Sequence, residues 1–513
     1  MKKQSLIEGT FILGAAGIIA KLLGLLFRWP LQMLIGDEGV GYYQMSFPLY
    51  MFFIAAASGI PVSVSKMVSE RKAIGDDEGA VIVLRKALIL MFILGAGFTG
   101  LLLAFSKPII SFLKWDSKSY YSLISIAIAP VFISVMSAFR GFFQGLQNMT
   151  CTAVSQIIEQ IGRVIVGVGL AYLLLPKGIE YSAGGAALGA AAGGIFGGAY
   201  LIIKYFKVKR EFHVGKIKDD IEILSKLLYI AVPVSLGAAV SSIMSVIDSV
   251  LVPQKLLEAG FTYKQAAILY GQLTGKAFIM INVPLTLSAA LCSSLIPIIA
   301  EAYILNRRNE VINKVDISIK ISMVIAIPSF LGLYNLAYPI LNLIFPGQSD
   351  GYSILQYSAI SIPFIILAQT STAVLQGIGR YTEPVLNLAV GCVVKSLITM
   401  FMVAIPRINI YGAVIGSLGG YVIASMLNMR LLKKKLNISI KWMDDFIKPL
   451  FASILMTIAV VIIYMNVYNY TMSSRVACLL AILLGMIIYL ILVVAFGIFK
   501  YDYIKNRIVR HSR

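Results

Sequence analysis

Long apolar runs separated by short polar segments make up most of this chain. The runs do not alternate with the period of two that membrane-barrel strands show, and runs of about 20 apolar residues span a bilayer as helices. A helix bonds its own backbone groups, as the hydrocarbon region requires. The pattern therefore predicts an all-α polytopic membrane protein with about fourteen transmembrane helices, at roughly 7–28, 40–65, 87–106, 119–144, 151–175, 184–203, 227–252, 270–301, 321–344, 352–377, 384–405, 411–429, 449–468 and 476–498.

Sequence features recur in the two halves of the chain. Gln144-Gly145 precedes Arg163 by nineteen residues, and Gln376-Gly377 precedes Lys395 by nineteen. Shorter matches link the ends of spans three and nine and the starts of spans six and twelve. Six spans per repeat is an even number, so both halves enter the membrane the same way. We predict two six-helix lobes related by a pseudo-two-fold axis along the membrane normal, with two extra C-terminal helices. The predicted divisions are residues 1–220, 221–440 and 441–513.

Glycines follow a helical spacing in one span of each half. Span six has them at four-residue steps from Gly185 to Gly197, and span twelve at Gly412, Gly416 and Gly420. Small residues at this spacing let two helix backbones approach each other. The spacing predicts close helix packing at both places.

The basic charge follows the predicted topology. The chain is 59% hydrophobic and 13% charged, with a net charge of +20. With the N-terminus in the cytoplasm, 30 lysines and arginines lie in predicted cytoplasmic segments and 9 on the outer side, counting Arg28 at the outer end of span one. This is the positive-inside bias of membrane proteins. It predicts a multi-pass protein of a bacterial cell membrane with both termini cytoplasmic. Membrane topology explains the basic charge, so we expect no nucleic-acid partner.

The chain lacks the residue patterns that metal sites, histidine-based catalysis and nucleotide binding require. The histidines, His213 and His511, lie in predicted cytoplasmic segments, and the four cysteines have no metal-ligand spacing. No loop much exceeds twenty residues, and the chain has no GxxxxGK[ST] phosphate-binding loop. We expect neither an enzyme, nor a metal site, nor a cofactor. Dependence on membrane potential or on a coupling cation stays open.

Six cations lie within or at the ends of predicted spans. A charged residue at mid-bilayer costs about 3 kcal/mol, so each needs a partner, a function or a route to the headgroups. The spacing offers such routes for several of them, whereas Lys395 is deep in span eleven with no acid four residues away. We treat all six as candidate substrate-binding residues: Lys21, Arg28, Arg140, Arg163, Lys276 and Lys395.

Two acids inside the spans are candidates for ion pairing or coupling. Glu159 precedes Arg163 by four residues, so the two share a helix face and are expected to pair. Asp248 lies in span seven and could take a proton, a sodium ion or a cation from span one. Because cations outnumber acids, a cavity that they share would be net positive. Guanidinium and ammonium groups bind phosphate oxygens, so the expected passenger is an anion.

Particular motifs near the N-terminus resemble a known family. Gly39-Val40-Gly41-Tyr42-Tyr43-Gln44 and the stretch 57–66, with Gln376-Gly377-Ile378-Gly379, look like the stage V sporulation protein B family. That family belongs to the multidrug/oligosaccharidyl-lipid/polysaccharide (MOP) exporter superfamily, together with the lipid II flippases. The resemblance implies fourteen helices and a central cationic cavity. It also implies that Lys21 and Arg28 match basic residues of span one in those flippases, with lysine in place of the first arginine, and that spans thirteen and fourteen line a groove for a lipid tail.

The expected function is a flippase that uses alternating access. Its substrate would be an anionic polyprenyl-(pyro)phosphate-linked saccharide, lipid II first, for cell-wall or spore-cortex peptidoglycan synthesis. The alternatives are a flippase for teichoic-acid or other polysaccharide precursors, a cation-coupled multidrug exporter, and a non-transporting scaffold for wall assembly. The expected partners are the lipid-linked substrate and membrane lipids, with the protein a monomer. Contact with cell-wall synthesis proteins stays open.

Overall fold

The chain folds almost entirely into helices. We analysed a computed structural model, which describes residues 6–209, 221–437 and 442–498, and this described part contains no strand. Its α-helices are α1 Leu6–Ala57, α2 Gly59–Ala73, α3 Asp77–Ala104, α4 Ser106–Phe112, α5 Tyr120–Ile126, α6 Ala129–Gly145, α7 Met149–Leu174, α8 Ile179–Lys209, α9 Ile221–Glu258, α10 Tyr263–Gly271, α11 Phe278–Ile304, α12 Arg308–Asn335, α13 Ala337–Ile344, α14 Tyr352–Ala359, α15 Ile362–Gly377, α16 Thr382–Met402, α17 Tyr411–Leu436, α18 Lys448–Thr471 and α19 Ser474–Ala495.

The helix lengths confirm a polytopic membrane protein. Among the described residues, eleven helical segments are long and apolar enough to cross a membrane, or twelve if the bent pair α14 and α15 forms one span. The first segment, Ile12–Ala73, has 62 residues. At 1.5 Å per residue it would be about 93 Å long, so it holds two of the predicted spans. Helix α9 covers predicted span seven as well. The expected number of about fourteen is therefore an approximate description of the chain.

The break within α1 has a specific backbone cause. Gly36 has φ 62° and ψ −169°, which no helix contains and which only glycine adopts without strain. It divides α1 into a section that carries Arg28 and a section that carries Tyr43 and Tyr50. The side chains of both sections can then meet, which a single straight helix would prevent.

The order of the helices repeats along the chain. Helices α3 and α12 each have 28 residues and start 231 residues apart, and each is followed by a short helix, α4 or α13. A further short helix comes next, α5 or α14, and then the longer α6 or α15. The last two pairs, α7 with α8 and α16 with α17, complete the correspondence. The internal repeat predicted from Gln-Gly pairs is therefore also a repeat of helical elements.

By packing, the chain divides into two compact units. One comprises Met1–Gly271 and the other Gln272–Arg513. Helices α9 and α10 thus pack with the first unit, although they belong to the second sequence repeat. The predicted division at 221 concerns the repeat, which packing does not test, and it stays a prediction. In the second unit a core of buried aliphatic side chains joins α11, α12, α15 and α17. Its fully buried members include Ile299, Val315, Val374 and Leu432.

Candidate functional site

Two arginines share one carboxylate inside the first unit. The Nη2 of Arg140 donates to Glu159 Oε2 at 2.9 Å, and the Nη2 of Arg163 lies 3.4 Å from Glu159 Oε1. The three side chains are between 11% and 15% exposed, so water screens them little. Arg163 pairs with Glu159 as the four-residue spacing predicts. The sequence gives no sign that Arg140 takes the other oxygen of the same carboxylate.

Hydroxyl groups complete part of this network. Arg140 Nε donates to Ser155 Oγ at 2.8 Å, and Arg163 Nη2 donates to the Tyr50 hydroxyl at 3.0 Å. The Arg163 guanidinium also lies 6.0 Å from the centre of the Tyr50 ring, within cation–π range. Arg163 Nε is buried and has no hydrogen-bond partner among the described residues. The network therefore keeps donor capacity that the described side chains do not use.

Arg28 extends the positive charge along a row of aromatic rings. Its electrostatic neighbours include Tyr43 and Arg163. Rings of Tyr43, Phe47 and Tyr50 follow one another on α1 at centroid distances of 5.3 and 5.7 Å. Arg28 is partly buried and has no hydrogen bond or carboxylate partner within the part of the chain that the structure describes. Three guanidinium groups and one carboxylate thus give this cluster an excess of positive charge. We call Arg28, Arg140, Glu159 and Arg163 the cation cluster.

Glycines set the helices that carry the cluster close together. A Cβ at Gly193 of α8 would lie 2.6 Å from the Glu159 carbonyl oxygen, and one at Gly189 would lie 2.8 Å from that of Arg163. On α6, a Cβ at Gly141 would lie 2.5 Å from the Pro61 carbonyl oxygen. Such distances are too short for any side chain. The glycine spacing seen in the sequence therefore fixes the backbone directly behind the two charged residues of α7.

Lys276 is anchored within the second unit. It lies in a π-helical turn, Gln272–Ala277, whose six residues are all buried, and its side chain is 0% exposed. Its Nζ donates to the backbone carbonyl of Asp350 at 3.1 Å. The sequence suggested a cation near the outer end of span eight with access to headgroups. In this conformation Lys276 instead holds the loop before α14, and π-turns are frequent at functional sites.

Lys395 is buried in α16 of the second unit. It is 2% exposed, and its backbone carbonyl lies 3.1 Å from the position of a Cβ on Gly416 of α17. The depth predicted from the sequence agrees with this burial. Neither the burial nor the packing shows what Lys395 binds, so its role in substrate binding stays a prediction.

Asp248 and Lys21 are the two remaining residues of the predicted site. Asp248 is 2% exposed in α9 and acts electrostatically on Tyr270, which also belongs to the first unit. Lys21 lies in α1, but its side chain is outside the described part of the structure, and so are His213 and His511. Among the described residues no group of three His, Cys, Asp or Glu is placed to hold a metal ion.

Sequence reasoning missed the tyrosines and the serine of the cluster. Tyr43 and Tyr50 are seven residues apart with Phe47 between them, so they lie on one helix face. That spacing could have identified an aromatic row with two hydroxyl groups. Ser155 stands four residues before Glu159 and could have been found in the same way. These groups add donors, acceptors and ring faces to a site predicted only from charges.

Comparison with known proteins assigns the family. Residues 6–303, more than half of the chain, match the polysaccharide biosynthesis protein family. The chain belongs to this family. Among individual relatives, stage V sporulation protein B of Bacillus subtilis is 29% identical over 452 residues, which cover 86% of each chain. The lipid II flippase MurJ of the same organism is 25% identical over 520 residues, covering 95% of this chain and 94% of its own.

A solved structure confirms the superfamily fold. A multidrug resistance MATE family transporter of the MOP superfamily, in an inward-facing conformation, aligns with a TM-score of 0.69 and 19% identity. The alignment covers 82% of this chain and 94% of the transporter. The resemblance to stage V sporulation protein B is therefore confirmed, and the fold resembles that of a MOP superfamily transporter. The protein is a multi-pass membrane protein with a MOP transporter fold, and the orientation of its termini stays a prediction.

Proposed function

We propose that this family member is a flippase for an anionic polyprenyl-(pyro)phosphate-linked saccharide, with lipid II as the first candidate. The headgroup would bind the cation cluster and the other basic residues predicted from the sequence, while the polyprenyl tail stays in the lipid. The protein would supply no catalytic chemistry. Its work would be to bind the headgroup and to change its access between the two sides of the membrane.

Arg28 carries this proposal. Arg28 is a partly buried guanidinium without a carboxylate partner among the described residues, which is costly inside a membrane protein. The nearby positive charge of Arg163 raises that cost further. An anionic ligand that binds both groups would remove the cost. Phosphate oxygens match the planar donor pattern of guanidinium closely, which favours a phosphate headgroup over other anions. A cationic drug would meet repulsion at the same place.

The sequence relatives support the same substrate class. The name of MurJ states that it flips lipid II, and the name of stage V sporulation protein B links that relative to sporulation. Peptidoglycan precursors would serve either cell-wall or spore-cortex synthesis. We propose no bound cofactor. A membrane potential, inside negative, would favour outward movement of an anion by about 2.3 kcal/mol per charge per 100 mV if it crosses the whole field.

Reconstitution in liposomes with labelled lipid II tests the proposal. We expect the wild-type protein to move lipid II between leaflets, and Arg28→Ala to slow this by at least about tenfold, since a lost charge-assisted hydrogen bond is worth roughly 1.5–3 kcal/mol. Lys21→Ala and Lys395→Ala test the two other basic residues whose role in substrate binding is a prediction from the sequence. Arg407→Ala is the matched control, because Arg407 is exposed in the loop before α17.

The same vesicles separate the alternatives. A flippase for teichoic-acid or other wall precursors would move those lipids and leave lipid II in place. A multidrug exporter would accumulate a cationic dye and keep that activity in Arg28→Ala. Failure of the wild-type protein to move any pyrophosphate-linked lipid would rule out the proposed function, and a scaffold for wall assembly would then explain the relatives better.

A further inference from the structure

A cavity of about 170 Å³ lies beside the cation cluster, within the first unit. Its walls come from the end of α1, the start of α2, α3 and one face of α6. Six of its eleven lining residues are apolar and five are polar: Phe53, Ile54, Ala57, Pro61, Met91 and Ile133, then Ser58, Ser134, Ser137, Arg140 and Gln144. We propose that this cavity binds a short amphipathic acid, with its carboxylate at Arg140 and its apolar body between α1 and α3.

Two polar groups at the cavity have unused hydrogen-bonding capacity. Ser134 is 1% exposed, and its hydroxyl has no partner among the described residues. The guanidinium of Arg140 uses Nε for Ser155 and Nη2 for Glu159, so Nη1 forms no hydrogen bond within the described ranges. A buried hydroxyl without a partner costs about 1–3 kcal/mol in ordinary proteins and usually marks water or a ligand. Both groups can therefore form hydrogen bonds with a polar ligand in the cavity.

The spacing of the polar residues separates a charged end from an apolar end. Ser134, Ser137, Arg140 and Gln144 recur at three- and four-residue steps, so they form one stripe along α6. Arg140 and Gln144 form its C-terminal end and can donate to one carboxylate. Phe53, Met91 and Ile133 are buried and have no polar atoms in their side chains. A single anionic group on a short hydrocarbon chain satisfies both ends.

The cavity volume limits the size of the occupant. Sites for drug-sized ligands have volumes of about 300–1,000 Å³. A cavity of about 170 Å³ encloses less than a saccharide headgroup or a whole phospholipid. A medium-chain fatty acid is the size and chemical class that the cavity fits best.

This inference goes beyond the proposed function, because the occupant is not the transported lipid. It would act on the cluster through Arg140, whose guanidinium contacts both the cavity and Glu159. A carboxylate at Nη1 would compete with Glu159 for the same positive charge. The acid would thereby alter the electrostatic balance between Glu159 and Arg163.

Binding of radiolabelled octanoate to the full-length protein in phosphatidylcholine nanodiscs tests the inference. We expect saturable binding, with butanoate weaker, since each buried methylene contributes about fourfold in affinity. Octanol and octylammonium test the charge: octanol should displace octanoate only at much higher concentration, and octylammonium should not displace it. Equal displacement by octanol would overturn the role of Arg140, and non-saturable uptake equal to that of empty nanodiscs would overturn the site.

A cavity-filling variant locates the binding. The residue of the second repeat at offset 232 from Ser134 is Ile366, which is 0% exposed, so Ser134→Ile copies a side chain that the fold already accepts there. We expect it to weaken octanoate binding at least tenfold. Ser111→Ile, on an exposed face of α4, is the matched control and should bind as the wild type does. If Ser134→Ile does not fold, Ala57→Leu fills the cavity from α1. Unchanged binding in a folded cavity-filling variant would overturn the proposal, and neither result depends on lipid II transport.

Discussion

The helix pair α7 and α8 has a counterpart in the pair α16 and α17, and the two share a backbone arrangement. Gly193 and Gly189 pack under the carbonyl groups of Glu159 and Arg163. In the second pair, a Cβ at Gly420 would lie 2.8 Å from the Gly391 carbonyl oxygen. A Cβ at Gly416 would lie 3.1 Å from the Lys395 carbonyl oxygen. Residues at corresponding positions of the repeat thus make corresponding close contacts.

The side chains on this shared backbone differ in charge. At offset 232, Arg163 corresponds to Lys395, Glu159 to Gly391 and Arg140 to Thr372. At these positions the second repeat therefore keeps one cation and has neither the carboxylate nor the second guanidinium. Arg140 and its counterpart Thr372 lie on α6 and α15. Its neighbouring polar contacts are neutral: Asn428 donates to Thr372 at 3.1 Å and accepts from Asn387 at 2.8 Å.

This difference separates what the repeat preserves for folding from what it varies. Glycine–carbonyl packing is common to both halves, so it belongs to the architecture. The ionic network occurs in the first half, where Arg28 adds a further positive charge. An acid shared by two arginines can release either one to a ligand, which a neutral amide network cannot do. The comparison therefore supports the proposal that an anion binds in the first unit.

Removing the shared carboxylate should have the largest effect on stability. Glu159→Gln leaves Arg140 and Arg163 buried without their common partner. Breaking a buried ion pair in this way costs about 3–5 kcal/mol of unfolding free energy. Thermal unfolding of the purified protein in detergent, compared with the wild type, measures the loss.

A second substitution tests whether the cost comes from the unpaired charges. Arg140→Thr, combined with Glu159→Gln, gives the first half the threonine that the second half has at Thr372. We expect the double variant to regain part of the stability lost in Glu159→Gln, because one uncompensated cation is gone. If the two losses simply add, the arginines do not share the carboxylate energetically.

The sequence predicted the repeat and its charged residues better than the contacts that these residues make between helices. Constant offsets between Gln-Gly pairs and between glycine stripes revealed the repeat, since both patterns consist of residues that are close together in the sequence. The link from Arg140 to Glu159 joins two helices and spans nineteen residues, so no helical periodicity reports it. Tyr50 is 113 residues from Arg163 and becomes its neighbour only through packing.

Lys276 shows a second limit of sequence reasoning. Its position early in an apolar span suggested snorkelling, which assumes a regular helix with one face toward lipid. A π-helical turn and a hydrogen bond from Lys276 to the backbone carbonyl of Asp350 replace that geometry. The extra residue of such a turn leaves no simple periodic signal in an apolar segment.

Glycine substitutions test the shared backbone directly and should have an intermediate effect. Gly193→Ala places a Cβ at 2.6 Å from a backbone oxygen, and Gly420→Ala does so at 2.8 Å, so each pair of helices must separate. We expect each variant to lose about 1–3 kcal/mol, the usual cost of overpacking. Thermal unfolding of both variants under one condition measures the two losses.

Gly169→Ala in α7 is the matched control, because nothing lies within 4 Å of a Cβ there. Alanine is the better helix former by about 0.5–1 kcal/mol, so this variant should be neutral or slightly more stable. A loss in Gly193→Ala with none in Gly420→Ala would show that the two pairs do not rely on the same packing.

Substitutions at the starts of α3 and α12 should change stability least of all. Asp76 caps α3 by accepting a hydrogen bond from the Gly79 N–H at 2.7 Å, and it pairs with Arg71 at 2.8 Å. The corresponding residue before α12 is Arg307, which makes no side-chain cap. Asp76→Ala should cost about 1 kcal/mol of unfolding free energy. Arg307→Ala should change little, because its ion pair with Glu310 is exposed.

The capping bond of Asp76 should also depend on pH in a direction that its surroundings determine. The Gly79 N–H and then the Arg71 guanidinium hold the pKa of the Asp76 carboxyl below its usual value. A carboxyl whose pKa is lower in the folded protein stabilises it above the unfolded pKa of about 3.9, and this contribution is lost as the pH falls through the folded pKa. The stability difference between wild type and Asp76→Ala should therefore be full at pH 7 and shrink in acid. Arg307→Ala removes no capping carboxyl, so its stability difference from the wild type should not change in acid. An equal acid-dependent change there would assign the effect to the whole protein rather than to the cap of α3.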